Sequence, residues 1–70
     1  MDWKIVYTTT NSYRAEIIKQ VLESADIDAI ILNKQDSSYL IGEIYVSVNP
    51  DNFLKAKNIV EEFETQTDFE

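Results

Sequence analysis

The chain contains neither cysteine nor histidine in its 70 residues, so no disulfide or ordinary zinc site is available to staple its fold. Domains of this size usually lean on such staples when their core is small. Here packing alone must suffice, and the placement of apolar residues dictates what can form. The supply is adequate: 44% of the residues are hydrophobic and 11% are aromatic, which argues against a disordered chain. The same absence removes a catalytic thiol and imidazole acid–base chemistry. A single glycine, Gly42, excludes the glycine-rich loops that cradle phosphates or dinucleotides.

The apolar pattern resolves into five elements. Trp3 to Thr8 alternates, with Trp3, Ile5 and Tyr7 on one side and Lys4, Val6 and Thr8 on the other, which predicts a strand. Asn11 is placed to cap a helix. Ala15, Ile18, Val21, Leu22 and Ala25 then share one helical face, flanked by Ile17, while Glu16, Gln20 and Ser24 form a polar row opposite. Ile27 to Leu32 is apolar on both parities and reads as a strand covered on both sides or joined to a partner. Asn33 to Gly42 reads as a loop, longer than a usual hairpin connection. Ile44, Val46 and Val48 give the next strand one clear apolar face. Asn49 followed by Pro50 opens a second helix, and Asp51 suits the positive end of its dipole. Phe53, Ala56, Val60 and Phe63, with Ile59 beside them, form the buried stripe.

The order is β-α-β-β-α. A β-α-β unit wants a right-handed crossover between parallel strands, and the third strand can slot antiparallel between the first two. The expected fold is an α+β, ferredoxin-like sandwich with a three-stranded sheet of order 1-3-2 and both helices on one face, lacking the usual final strand. One domain is expected over residues 1–64, with 65–70 as a frayed acidic tail.

Charge is unevenly spread. Residues 1–35 carry five acids and four bases, a net of −1, whereas residues 36–70 carry eight acids and two bases, a net of −6. That field repels nucleic-acid backbones; a solvated surface and tail explain it most simply, and an acidic docking segment for a basic partner is the sharper reading. The chain shows no basic region followed by an apolar leader. Its longest aliphatic run, Ala29 to Leu32, is far short of the roughly 20 residues that span a bilayer. A cytoplasmic location without membrane or nucleic-acid partners is the expectation.

Particular residues carry a resemblance. The Trp-Lys-Ile-Val-Tyr-Thr strand from Trp3 to Thr8 precedes a helix with Arg14-Ala15-Glu16-Ile17-Ile18-Lys19. Leu22-Glu23-Ser24-Ala25-Asp26-Ile27-Asp28-Ala29 follows, then Asp36-Ser37-Ser38-Tyr39 before Gly42, and the stretch from Val48 to Ala56. Together they resemble the short bacterial family labelled putative prokaryotic signal-transducing proteins, a domain of unknown function. The resemblance implies a PII-like fold, in agreement with the topology above, and supplies no ligand or catalytic residue. Many members place Gly where this chain has Asp26. In PII proteins the loop between the second and third strands does the regulatory work, and its counterpart here is Asn33 to Gly42. This chain departs from PII in being shorter, without the fourth strand or nucleotide-site glycines.

Asp26 and Asp28 alternate on one side of an entering strand, where two carboxylates could chelate Mg²⁺, yet no third ligand can be named. Lys34, Asp36, Ser37, Ser38 and Tyr39 hold a nucleophile, an acid and a base in composition only. A serine without histidine needs a lysine base in a dry pocket, and this loop should be wet. No enzyme activity, metal or cofactor is therefore expected.

Recognition suits the loop better, since binding residues concentrate on loops held by a rigid scaffold. The candidate contacts for a protein partner or small effector are Asn33, Lys34, Asp36, Ser37, Ser38, Tyr39, Leu40 and Ile41. The last three could instead tuck over the sheet end and close the core. Ferredoxin-like RNA binders stack bases on strand aromatics, but Tyr45 alone on a chain of net charge −7 argues against that. In a 1-3-2 sheet the first strand is an edge guarded only by Lys4. The open face adds Val6, Tyr45 and either Ala29 and Ile31 or Ile30 and Leu32. A homodimer is expected, with Lys4, Val6, Thr8 and Tyr45 as its candidate surface. The reading is a non-catalytic regulatory or signal-transducing domain acting through its 33–42 loop and open sheet face; the alternative is a purely self-assembling structural domain with no effector.

Overall fold

The computed structural model describes residues 2–35 and 42–66. Strand β1 spans Lys4–Thr9, helix α1 Ser12–Ser24, β2 Ala29–Asn33, β3 Ile44–Val48 and helix α2 Phe53–Gln66, with a 3₁₀ turn at Pro50–Asn52 leading into α2. The sheet order is β1-β3-β2, and both outer strands pair antiparallel with β3. This is the expected α+β, ferredoxin-like arrangement. Helix α1 lies across all three strands, whereas α2 packs mainly on β1 and α1. The molecule is only 15 Å thick along its shortest axis, so the helices form one layer and the sheet the other.

The central strand sets the core. Ile44, Val46 and Val48 are fully buried and face the helices, together with Ile18 and Leu22 of α1 and Ile27. Ala15 and Ala56 are buried where the helices approach this core; their lack of bulk permits close packing. Val60 is buried, and Ile59 and Phe63 are half-buried against the same cluster. Truncating a fully buried residue such as Leu22 to alanine removes about 2–5 kcal/mol in cores of this kind.

Local chemistry explains the boundaries. The Asn11 side chain accepts from Tyr13 N–H at 2.9 Å and Arg14 N–H at 3.2 Å, satisfying donors that the first turn leaves free. Asn49 does the same for Asp51 N–H at 2.9 Å. Helix α1 closes with Asp26 N–H on the Glu23 carbonyl and Ile27 N–H on the Leu22 carbonyl, both at 3.0 Å. That closure places Asp26 at φ +65°, the left-handed position that favours glycine. Ile27 and Leu22 are both buried, which supplies the apolar contact accompanying such ends. β2 consequently starts at Ala29 rather than Ile27. Helix α2 continues through Gln66, past the expected fraying point at residue 65, with Thr65 Oγ1 donating to the Glu61 carbonyl at 2.8 Å.

One expectation fails in β1. The register shifts between Ile5, opposite Ser47, and Tyr7, opposite Val46. Val6 is the extra residue of a bulge, which bends the strand and breaks its alternation. Val6 and Tyr7 both pack against the buried core. Ile5 and Thr8 instead share the parity of Ser47 and Tyr45 on the opposite face. Ile5 and Tyr7 thus face opposite sides, and Val6 does not belong to the open face.

Candidate functional site

The sheet face turned away from the helices is built in cross-strand rows. Ile5, Ser47 and Ile30 lie side by side across the three strands, and Thr8, Tyr45 and Leu32 form the next row. Ile5 and Leu32 are each 50% exposed and Ile30 is 39% exposed. Ser47 is only 6% exposed, because it sits on the central strand between the two isoleucines. Of the two β2 alternatives, Ile30 and Leu32 are the members of this face; Ala29 is buried and Ile31 packs against the core. Ile5 was hidden from the alternation because the bulge at Val6 moves it to this side. A bulge leaves little trace in a β-branched run, and no residue near Val6 announces one.

The Tyr45 hydroxyl donates to Glu43 Oε1 at 3.0 Å. That bond, with the Glu43 charge, holds the phenol above its ordinary pKa. Glu43 also closes the mouth of the loop: Lys34 N–H donates to its backbone carbonyl at 2.9 Å. Asn33 Oδ1 accepts from Gln35 N–H at 2.8 Å, and Gln35 Nε2 donates to the Thr10 carbonyl at 2.7 Å. These contacts fasten the neck of the loop to the β1–α1 connection. Gly42 is at φ +110°, and a Cβ there would lie 2.6 Å from the Lys34 carbonyl oxygen; only glycine fits this close approach without displacing backbone.

The predicted residues are therefore distributed as follows. Asn33 is the last residue of β2, opposite Ile44, and Lys34 extends the ladder, so neither belongs to a free loop. Asp36, Ser37, Ser38, Tyr39, Leu40 and Ile41 lie outside the described residues. Thr8 and Tyr45 are on the open face. Lys4 pairs with Val48 on the helix side, and its Nζ sits 4.3 Å from the centre of the Phe53 ring, a cation–π contact that joins β1 to the start of α2. Gln35, with its bond to Thr10, was not singled out by sequence; a side chain reaching a distant backbone carbonyl has no local signature.

Asp26 and Asp28 do not share a strand face, since Asp26 closes α1 and β2 begins only at Ala29. Among the described residues no group of three or more metal-binding side chains converges, and no helix is long and apolar enough to cross a membrane. On the helix side, Tyr7 is held above the ordinary phenol pKa, first by burial and then by the charge and hydrogen bond of Glu64; Arg14 and Thr9 pull partly the other way.

No curated protein and no solved structure matches the chain. A family model described as "Putative prokaryotic signal transducing protein" matches residues 3–64, which takes in both helices up to the last turn of α2 and all three strands. The chain belongs to that family.

Proposed function

We propose that this chain is a non-catalytic signal-transducing domain that recognises a protein partner or a small effector on the open face of its sheet and the adjoining loop. Family membership supports the signalling role. The observation that carries the surface is the trio Ile5, Ile30 and Leu32, large aliphatic side chains left exposed on one face around Tyr45. Apolar side chains set beside hydrogen-bonding groups are characteristic of recognition surfaces. The lack of histidine and cysteine removes the commonest bases and nucleophiles, which supports a binding role over catalysis.

Affinity capture from cell extract with the wild-type chain, beside Leu32→Lys, tests the reading, together with a thermal-shift screen of nucleotides and metabolites. The expected result is a protein retained by the wild type and reduced about tenfold by the added charge, or a compound that raises the melting temperature in a dose-dependent way. Capture indifferent to Leu32→Lys, with no stabilising compound, would contradict it. A melting temperature that depends on protein concentration alone would favour the self-assembling alternative.

A further inference from the structure

The two edges of the sheet are not equivalent. β1 carries the bulge at Val6, its Lys4 reaches over Phe53, and α2 packs on its side of the molecule. Bulges, charge and a covering helix are the usual protections of an edge. β2 carries no bulge and no charged residue within Ala29–Asn33, although α1 packs on its face. It is regular along its whole pairing with β3, and among the described residues no strand pairs with its outer side.

The hydrogen-bond phase of β2 follows from one contact. Lys34 N–H donates to the Glu43 carbonyl, so Lys34, Leu32 and Ile30 direct their backbone groups toward β3. Ala29, Ile31 and Asn33 therefore direct theirs outward, as a ladder unpaired among the described residues. The flanking charges are arranged about the same centre: Asp28 lies three residues before Ile31 and Lys34 three residues after it. Both are exposed, and both continue the parity of Ile30 and Leu32.

From this edge we infer that a second copy of the chain docks on β2, antiparallel, about a two-fold axis through Ile31, giving a continuous six-stranded sheet. In that register Ile31 meets Ile31 of the second copy and Ala29 meets Asn33. Those are hydrogen-bonded pairs, and they supply about six backbone bonds. Ile30 meets Leu32 on the open face, and Asp28 meets Lys34 twice, as opposite charges on close cross-strand positions. Shifting the strands by two residues keeps the hydrogen-bonding phase but leaves only two of the three bonded pairs within β2 and separates those charges, so bond count and charge together select the register. The pairing goes beyond the proposed partner binding and does not depend on it: it leaves the open face uncovered and joins two copies of it side by side.

Two five-residue strands bury an area at the small end of specific interfaces, so the dimer is expected to be concentration-dependent. Sedimentation equilibrium from about 1 µM to about 1 mM should show a mass rising from 8.1 kDa toward twice that value. Asp28→Lys and Lys34→Asp each set like charges opposite one another at two places, and each should weaken association about tenfold. The double substitution restores opposite charges and should recover it. Amide exchange at Ile31 and Asn33 should slow as concentration rises, while that of Leu32, already bonded to β3, changes little. A mass of 8.1 kDa throughout, single variants that associate like the wild type, or a double variant no better than the singles would overturn the inference. Melting curves at the lowest concentration establish that each variant is folded.

Discussion

Asp26 occupies a position whose geometry belongs to glycine. At φ +65° an L side chain costs roughly 1–2 kcal/mol, and aspartate is among the few residues that tolerate it. Asp26→Gly relieves that strain but adds freedom to the unfolded chain, about 0.5–1 kcal/mol. A net gain of about 0.5–1 kcal/mol is expected, read as a raised urea midpoint at unchanged slope; a loss of stability would show that the Asp26 side chain contributes more than its backbone costs. Tyr7 gives a prediction in pH. Its pKa is raised in the folded state by burial and by Glu64, so folding favours the neutral phenol. The associated stability is complete below the unfolded phenol pKa of about 10 and is lost as pH rises through the higher folded value. Alkaline melting curves should therefore fall above about pH 10, and less steeply for Tyr7→Phe; equal slopes would remove Tyr7 from the cause.

At the scale of elements, both helices were legible because their starts are written in local chemistry. Asn11 and Asn49-Pro50 announce caps, and the apolar periodicity fixes the faces that Ala15, Ile18, Leu22, Ala56 and Val60 bury. The strands were legible as strands, and β3 in its phase as well, with Ile44, Val46 and Val48 on the buried side. The phase of β1 was not, since one inserted residue at Val6 reverses everything before it, and β2 was left open between its two parities. The end of β2 was also misplaced: Asn33 and Lys34 look like loop residues, yet the ladder continues through them because Glu43 and Gly42 bring the chain back at the right distance. That neck predicts a pattern of amide exchange. The Lys34 amide, bonded to Glu43, should be protected alongside those of Tyr45 and Ser47. Free exchange at Lys34 would contradict a closed neck.

The whole molecule is a two-layer sandwich only 15 Å thick, with its helices on one side and Ile5, Ile30 and Leu32 exposed on the other. The sequence carried this architecture in its β-α-β-β-α order and placed Thr8 and Tyr45 on the open face; it missed Ile5, hidden by the bulge, and left the parity of β2 open. Recognition is proposed to occur on this face. Its direct test is an isoleucine-methyl NMR titration of the labelled chain with the captured protein or the stabilising compound. Ile5 and Ile30 should shift or broaden, while buried Ile18, Ile27 and Ile44 stay in place. Changes at Ile17 and Ile59 on the helical side, with Ile5 and Ile30 unmoved, would contradict it.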